Sequence, residues 1–271
     1  MVGSDGIEIS ARVSFDAVAA AYDTFMGRCT RLYLPALLAA ANLVPGQRVL
    51  DVATGTGESA AMAVAAVGPT GQVVGVDISL PMLRGARAKY DGIPLAAMDG
   101  QSLAGADGSF DAALCQLGLM FFPEPLAGLR ECRRVLLSGA RFAASVWSVP
   151  ERVPWVGVLA MALAVHLPER REELLRGSSL SDPAHLTRLL ADAGFTDVAV
   201  TRETQSLLFA SFDAYWSVVE SGAIRIGLML RELREDARRG VMAEVHVRLA
   251  RFESGGQLKM PSEALVVAGR R

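Results

Sequence analysis

Residues 49–57, Val-Leu-Asp-Val-Ala-Thr-Gly-Thr-Gly, constrain the fold of this chain more than any other part of its sequence. The apolar half predicts a buried strand, the two glycines a tight turn, and the small residues from Glu58 onward a helix. Glycine lets a backbone approach a ligand closely, and a helix N-terminus presents unpaired N–H groups and a positive dipole end. The pattern predicts a nucleotide-binding corner. A loose dinucleotide fingerprint (Gly55, Gly57, Ala60) and a glycine turn without a ligand are the alternatives.

Strands alternate with helices through the first half of the sequence. Predicted strands lie at residues 48–52, 72–76, 93–98, 110–115 and 141–147, and predicted helices at 15–25, 32–43 and 126–136, with further helices starting near 58 and 79. This order predicts an α/β fold with a doubly wound, mostly parallel sheet and a ligand at the carboxyl ends of its strands. Asp77, Asp99 and Gln116 fall at or just past such ends, and Asp51 lies one residue before its strand ends. We therefore expect these side chains to form one site.

The second half is less regular, and we expect the chain 1–271 to form a single domain around a core at 12–147. Residues 151–178 and 211–252 are predicted to be helical insertions that cover the acceptor site at one end of the sheet. Short strands are expected at 198–201 and 264–268, and the Gly255-Gly256 turn predicts an antiparallel hairpin that leads into a terminal strand region at 256–271. Residues 1–10 are predicted to be a loose arm.

Composition excludes several classes of partner. The formal net charge is −2, so nothing in the bulk charge points to nucleic acid. The three cysteines are an odd set without metal-ligand spacing, so we expect no metal site and a reducing, cytoplasmic environment. The longest apolar stretch, 153–167, is shorter than the roughly 20 residues that a bilayer requires, so we expect no stable membrane insertion. A homodimer is compatible with the sequence.

Five ordered motifs make the chain resemble the class I S-adenosylmethionine-dependent methyltransferases, in particular the ubiquinone and menaquinone C-methyltransferases. The motifs are the corner at 49–57, Val-Val-Gly-Val-Asp at 73–77, Met-Asp-Gly at 98–100, Ser-Phe-Asp at 109–111 and Leu-Arg-Glu-Cys-Arg-Arg-Val-Leu at 129–136. The resemblance covers 15–147 and returns at 256–271. Two departures are Ala53, where the family usually has glycine, and Ser-Gly-Ala at 138–140, where it usually has Pro-Gly-Gly.

The resemblance implies a Rossmann-like fold, S-adenosyl-L-methionine as the cofactor, and methyl transfer to carbon or oxygen of a small, largely apolar metabolite of secondary metabolism. The residues expected to bind the cofactor are Tyr22, Asp51, Ala53, Gly55, Gly57, Asp77, Ile78, Met82, Asp99, Gly100 and Gln116. Asp77 lies 20 residues after Gly57, the spacing at which an acid binds ribose hydroxyls. Its alternative role is to cap a helix. Asp99 is expected to accept from the adenine amino group, or else to form a turn.

The other members of this set have roles of a different kind. A carboxylate at Asp51 is costly inside a strand unless a positive or hydrogen-bonding group meets it, and the ammonium of the cofactor is such a group, directly or through water. Gln116 is expected to offer its main-chain carbonyl to the same end. Ile78 and Met82 would enclose the adenine, or else belong to the core. Tyr22 could fold over the cofactor as a lid, or be a core aromatic with a satisfied hydroxyl.

The acceptor side is less defined by the sequence. Phe121, Phe122, Trp147 and Trp155 are predicted to line the acceptor pocket, with core packing as the alternative. Methyl transfer from a sulfonium needs chiefly alignment and exclusion of water, so a general base is optional. If a proton must be removed, His166 and His246 are the candidate catalytic residues, although a lone histidine is more often structural.

Two other functional classes fit the corner alone. One is a nicotinamide-dependent oxidoreductase, against which Asp51 and the C-terminal hairpin both argue. The other is a cofactor-binding protein of the same fold that transfers no methyl group. Motifs that contact only the cofactor do not separate this second class from an enzyme.

Overall fold

The computed structural model describes residues 4–221 and 224–271. Its helices are α1 Ser4–Arg31, α2 Leu34–Ala41, α3 Glu58–Val67, α4 Leu80–Lys89, α5 Pro125–Val135, α6 Pro154–His166, α7 Arg171–Leu175, α8 Pro183–Asp192, α9 Phe212–Glu220 and α10 Glu235–Leu249. Its strands are β1 Arg48–Val52, β2 Gln72–Asp77, β3 Leu95–Ala97, β4 Phe110–Gln116, β5 Leu136–Trp147, β6 Thr196–Phe209, β7 Glu253–Ser254 and β8 Gln257–Arg270. Short 3₁₀ helices lie at Leu119–Phe121, Pro150–Arg152, Pro168–Arg170, Arg176–Ser178, Arg225–Glu232 and Ala250–Phe252.

These strands form one sheet in the order β3-β2-β1-β4-β5-β8-β6, with β7 paired to β8. The neighbours from β3 to β5 are parallel, whereas β8 runs antiparallel to both β5 and β6. The strand order reverses at β1, which lies between β2 and β4. Such a reversal opens a crevice at the carboxyl ends of the strands. The predicted doubly wound, mostly parallel sheet with a C-terminal antiparallel hairpin is confirmed.

Two apolar layers enclose the sheet, because successive residues of a strand point to opposite faces. In β1, Val49 is buried in the layer that contains Leu37 of α2 and Ala63 of α3. Leu50 lies in the opposite layer, together with Leu129 of α5. Helices therefore cover both faces of β1. A ligand can approach this strand at its carboxyl end.

The C-terminal half of the sheet is longer than predicted. β5 begins directly after α5, and Gly139 (φ +78°) lies at an irregularity within the strand instead of ending a helix. β6 and β8 each contain 14 residues, against predicted strands at 198–201 and 264–268. The extra part of β6 is largely exposed and polar on one face, so it lacks the apolar run from which strands are recognised. Pro261 in β8 pairs with β6 only, beyond the last residue that pairs with β5.

Helix α1 corrects the prediction of a loose arm. It is continuous from Ser4 to Arg31, whereas the sequence pattern predicts a helix only at 15–25; residues 1–3 lie outside the described residues. Extension of an existing helix adds one hydrogen bond for each residue that is fixed, so a turn with a weak sequence signal can still continue it. Within the part of the chain that the structure describes, no helix is both long and apolar enough to cross a membrane.

Candidate functional site

The glycine corner follows β1 with an unusual backbone. Ala53 adopts a left-handed conformation (φ +56°), as do Gly55 (φ +55°) and Gly57 (φ +87°). An alanine in this region costs roughly 1–2 kcal/mol. A Cβ at Gly118 would lie 2.5 Å from the Ala53 methyl carbon, so the absence of a side chain at Gly118 makes room for Ala53. Alanine in place of the usual glycine therefore keeps the turn but requires this close approach.

Asp51 lies beneath the corner and is fully buried. Its Oδ2 accepts hydrogen bonds from Thr54 Oγ1 and Ser59 Oγ, each at 2.5 Å. Its Oδ1 has no hydrogen-bond partner among the described residues. Burial raises the pKa of Asp51 to about 6, and the hydrogen bonds from Ser59 and Thr54 oppose that rise. The carboxylate fastens the turn and leaves one buried oxygen unsatisfied.

Asp77 links the ends of β1 and β2. Its Oδ2 accepts from the Gly55 N–H and its Oδ1 from the Ser79 N–H, both at 2.8 Å. The cap of α4 is Ser79, whose Oγ accepts from the Met82 N–H at 3.3 Å. Burial raises the pKa of Asp77, and the negative charge of Asp16 acts in the same direction. Ser79, and not Asp77, is therefore the residue that caps α4. The Asp77 side chain lines a cavity.

That cavity lies at the carboxyl ends of β1, β2 and β4 and contains about 760 Å³ of empty space, part of which is open to solvent. We call it the cofactor cavity, because most of the predicted cofactor residues line it. Its lining residues are Phe15, Tyr22, Ala53, Gly55, Asp77, Ile78, Met82, Met98, Asp99, Gly100, Gln101, Gln116, Leu117, Gly118, Phe121, Phe122 and Pro123. Nine of the eleven predicted cofactor residues are among them, and the two that do not line the cavity are Asp51 and Gly57. A Cβ at Gly57 would lie 3.0 Å from both Ala86 and Tyr90, so this glycine allows α4 to pack closely.

The far end of the cofactor cavity is shaped by Asp99 and Phe122. Asp99 Oδ1 accepts a hydrogen bond from the Gln101 backbone N–H at 2.8 Å, which closes a local turn. Among the described residues, Asp99 Oδ2 has a long contact of 3.3 Å to Gln101 Nε2. A Cβ at Gly100 would lie 2.4 Å from the Phe122 ring. Phe122, which was predicted to line the acceptor pocket, lines the cofactor cavity instead. It is not among the described residues that line the neighbouring cavity, which is described below.

Gln116 and Tyr22 join the cofactor cavity to the rest of the molecule. Gln116 Nε2 donates to the Thr30 carbonyl at 2.9 Å, and its Oε1 accepts from Ser145 Oγ at 2.8 Å. Its side chain is therefore engaged by α1 and β5. Burial raises the pKa of the Tyr22 phenol, with Cys29 and Asp77 acting in the same direction, so the phenol is protonated at neutral pH.

A second cavity lies beside the first and contains about 790 Å³ of empty space, part of which is open to solvent. We call it the acceptor cavity, because three of the four residues predicted to line the acceptor pocket lie there. Its lining is mostly apolar, as the following residues show: Phe15, Val18, Tyr22, Met26, Thr30, Leu117, Phe121, Trp147, Ser148, Pro150, Val153, Trp155, Val156, Gly157, Ala160, Leu174, Gly177, Ser178, Ile224, Arg225 and Ile226. Phe15, Tyr22, Leu117 and Phe121 line both cavities, so the two spaces meet at these side chains.

The candidate catalytic histidines lie outside both cavities. His166 is exposed at the last residue of α6. His246 is exposed on α10, and its ring stacks on Phe212 with centroids 4.0 Å apart. Neither is among the described residues that line the acceptor cavity. The geometry therefore gives no support to a histidine base, whereas it does bring Phe121, Trp147 and Trp155 to that cavity.

Helix α1 contributes more to the site than its sequence pattern predicts. Ser79 Oγ donates to Asp16 Oδ1 at 2.5 Å, and Thr56 Oγ1 donates to Asp23 Oδ1 at 2.8 Å. Lys89 forms an ion pair with Asp23 at 2.9 Å. These contacts hold the helix against the corner while its aromatic residues line both cavities. The spacing of seven residues between Phe15 and Tyr22, and again between Asp16 and Asp23, is the sequence signal that predicts such a two-sided helix.

The chain is similar in sequence to known proteins. Residues 50–144 match the protein family described as "Methyltransferase domain". The chain is 34% identical to the demethylmenaquinone methyltransferase of Renibacterium salmoninarum over 202 residues, which span 68% of this chain and 83% of that relative. Identity to the demethylmenaquinone methyltransferase of Corynebacterium kroppenstedtii is 39% over 141 residues, which span 50% of this chain and 59% of that relative.

Two solved structures share the fold at low sequence identity. The YcgJ protein from Bacillus subtilis has a TM-score of 0.58 and 20% identity, with 88% of this chain and 97% of that chain covered. Phosphoethanolamine N-methyltransferase 2 from Haemonchus contortus, in complex with S-adenosyl-L-methionine, has a TM-score of 0.56 and 17% identity, with 94% of this chain and 57% of that chain covered. At these identities the comparison establishes the fold alone.

Proposed function

The chain belongs to the class I S-adenosylmethionine-dependent methyltransferases, and we propose that it methylates carbon or oxygen of a small, largely apolar, ring-bearing metabolite. S-adenosyl-L-methionine is its cofactor. The observation that carries the proposal is the mostly apolar cavity that meets the cofactor cavity at Phe15, Tyr22, Leu117 and Phe121. An acceptor in this cavity would be shielded from water and held beside the cofactor, which is what methyl transfer chiefly requires.

The charges of the cofactor cavity fit a cationic cofactor. Asp77 and Asp99 line it, and among the described lining residues none is a lysine, arginine or histidine. The buried oxygen of Asp51 that has no partner lies beneath the same corner. A dinucleotide brings a pyrophosphate dianion, which such a lining would repel, whereas a sulfonium is attracted to it. This contrast supports the methyltransferase function over the nicotinamide-dependent alternative.

Residues of the cofactor cavity have distinct proposed roles. Asp77 would hold the ribose, Asp99 the adenine amino group, and Met82 and Ile78 the faces of the adenine. Asp51 would act from beneath the corner, through its charge and through the turn that it fastens. When bound, the cofactor supplies a methyl group on an activated sulfonium. The protein's own part is to bind, orient and exclude water.

Asp77→Ala is expected to weaken S-adenosylmethionine binding about 10- to 100-fold, because a charge-assisted hydrogen bond contributes roughly 1.5–3 kcal/mol. Calorimetry on the purified variant measures the change. Asp77→Asn, which keeps an oxygen for one of the two backbone N–H groups, separates the loss of charge from a distorted turn. Asp192→Ala, at an exposed aspartate of α8, is the matched control. Unchanged affinity in Asp77→Ala would refute the ribose assignment.

The insertions at 151–178 and 211–252 are the proposed cover of the acceptor cavity. Trp155, Leu174 and Ser178 of the first, and Ile224 and Arg225 of the second, line that cavity. Residues 222 and 223 of the second insertion lie outside the described residues.

Adding S-adenosylhomocysteine together with an acceptor is expected to slow amide hydrogen exchange in these two segments by about tenfold or more, with little change in β1, because closing a cover removes local opening. Mass spectrometry of peptides from 168–178 and 224–232 measures the effect. Equal exchange with and without ligands would mean that the segments are fixed scaffold.

A screen with isotope-labelled cofactor tests the function itself. Quinones, phenols and polyketide-like acceptors are incubated with the enzyme, and the labelled product is identified by mass. We expect turnover on at least one ring-bearing class, and activity within a few-fold of wild type for His166→Ala and His246→Ala, because neither ring lines the acceptor cavity. Turnover only on a protein or an RNA would refute the proposed substrate class. Turnover that collapses in either histidine variant would restore the general-base hypothesis.

A further inference from the structure

Arg225 places a cation in the otherwise uncharged lining of the acceptor cavity. It begins the 3₁₀ helix Arg225–Glu232, and 13% of its side chain is exposed. Among the described residues that line this cavity, it is the one with a formal charge at neutral pH. A buried cation is expensive to maintain, so its presence in an apolar pocket calls for a function.

The surroundings of Arg225 keep it charged and in place. Glu173 Oε1 lies 3.6 Å from Arg225 Nη1, and the Glu173 carbonyl lies 3.5 Å from Nη2. Burial lowers the pKa of Arg225 to about 10, with the positive charges of Arg170 and Arg176 acting in the same direction and Glu173 opposing them. The guanidinium is therefore protonated at neutral pH. The two neighbouring arginines have glutamate partners of their own: Arg170 pairs with Glu173 and Glu232, and Arg176 pairs with Glu172.

The position of Arg225 relative to the two cavities is specific. Its Cζ lies 5.9 Å from the ring centroid of Phe15 and 5.3 Å from that of Phe121. These two rings contact each other edge to face at 5.2 Å and line both cavities. The cation thus lies close to two of the side chains at which the cavities meet.

We infer that the acceptor carries an acidic oxygen group, an enol or a carboxylic acid, which binds as its anion to Arg225 while its ring occupies the apolar cavity. The inference rests on the proposed function and narrows its substrate class. A guanidinium presents a planar fork of donors that matches such oxygens, and an apolar site strengthens the attraction.

Ionisation of the acceptor then needs no base in the cavity. The O–H bond breaks, its proton passes to bulk water, and the electron pair stays on the oxygen that the guanidinium stabilises. This accounts for an acceptor cavity whose described lining contains no histidine and no carboxylate. Arg225 would be a specificity-determining residue that binds the substrate and favours its reactive form.

Two matched ligand pairs test the inference on the full-length protein saturated with S-adenosylhomocysteine. The enol pair is 2-hydroxy-1,4-naphthoquinone and its methyl ether; the carboxylate pair is 2-naphthoate and its methyl ester. Within each pair the ring system is the same, and a methyl group on the oxygen of the second ligand prevents its ionisation. Calorimetry at neutral pH is expected to show at least one anion bound about 10- to 100-fold more tightly than its neutral partner. The pair that shows the preference identifies the oxygen group.

Three variants test whether Arg225 is the cause of the preference for the anionic ligand. Arg225→Gln should abolish it while leaving the neutral ligand and S-adenosylhomocysteine bound as in wild type, and Arg225→Lys should keep part of it. Arg231→Gln, at an exposed arginine of the same 3₁₀ helix, should keep all of it. No anion preference in wild type, or a preference that survives Arg225→Gln, overturns the inference and leaves the proposed function standing. Failure of all four ligands to bind, with S-adenosylhomocysteine bound normally, overturns the aromatic substrate class and the inference with it.

Discussion

Asp51→Asn is expected to raise the stability of the ligand-free protein and to weaken its binding of S-adenosylmethionine. The folded-state pKa of Asp51 is raised by burial to about 6 from an ordinary value of 3.8. The stability contributed by the protonated form is present below the ordinary value and is lost as the pH rises through about 6. A shift of this size corresponds to about 2–3 kcal/mol at neutral pH. Asparagine removes the buried charge and still offers an oxygen to Thr54 and Ser59.

Urea unfolding across the pH range measures the stability effect. The stability of the variant should exceed that of wild type above pH 6, and the difference should shrink as the pH falls from 6 to below 3.8, where Asp51 becomes protonated in both the folded and the unfolded state. Affinity for S-adenosylmethionine should fall by about tenfold, which corresponds to about 1.4 kcal/mol. S-adenosylhomocysteine should lose affinity by a similar factor, because it carries the same ammonium group. Asp192→Asn, at an exposed site, should change neither property. A variant that is less stable than wild type at neutral pH would contradict this account.

Trp155→Ala is expected to lower the free energy of unfolding by about 3–5 kcal/mol, the usual cost of truncating a buried aromatic residue. Trp155 is 1% exposed, and its ring meets Phe25 and Trp147 edge to face, with centroids 5.6 Å apart in each pair. Its Nε1 donates to Ser262 Oγ at 3.0 Å, so the truncation also removes a buried hydrogen bond.

Denaturant unfolding at constant pH, with comparison of the midpoint and the slope, measures this loss. Val165→Ala is the control on the same helix, because Val165 is 67% exposed and should contribute less than about 0.5 kcal/mol. Because Trp155 lines the acceptor cavity, the variant should also admit larger apolar ligands at a temperature where it remains folded. A loss below 1 kcal/mol would show that Trp155 is not an anchor of the core.

The sequence predicts the parallel half of the sheet well because its signals are local. Each parallel strand is a short apolar run, and Gly55 and Gly57 mark the turn from β1 into α3. The antiparallel half has weaker signals. β6 is an edge strand most of whose exposed residues are polar, and its length is set by pairing with β8, which is distant in the sequence. Pairing partners of this kind are not visible in a local pattern.

The candidate site shows the same division. Residues of the cofactor cavity were predictable because they sit at strand ends, where topology brings them together. Asp51 and Gly57 do not line the cavity, and this was not predictable. It depends on which side of the buried turn faces the cavity. Arg225 was missed because a single arginine in a mixed segment resembles any surface arginine. Its proposed role is indicated only by its burial in the folded protein, where 13% of its side chain is exposed.

The close approach of Ala53 and Gly118 constrains the order in which this sequence can change. A side chain at position 118 would collide with the Ala53 methyl at 2.5 Å, whereas glycine at position 53 removes that obstacle and relieves a strained backbone. A mutational path that passes first through Ala53→Gly then leaves position 118 with only a tight contact to Cys115. The reverse path begins with a clash in the wall of the cofactor cavity. We therefore expect the two positions to be coupled: a side chain at position 118 is tolerated only when position 53 is glycine.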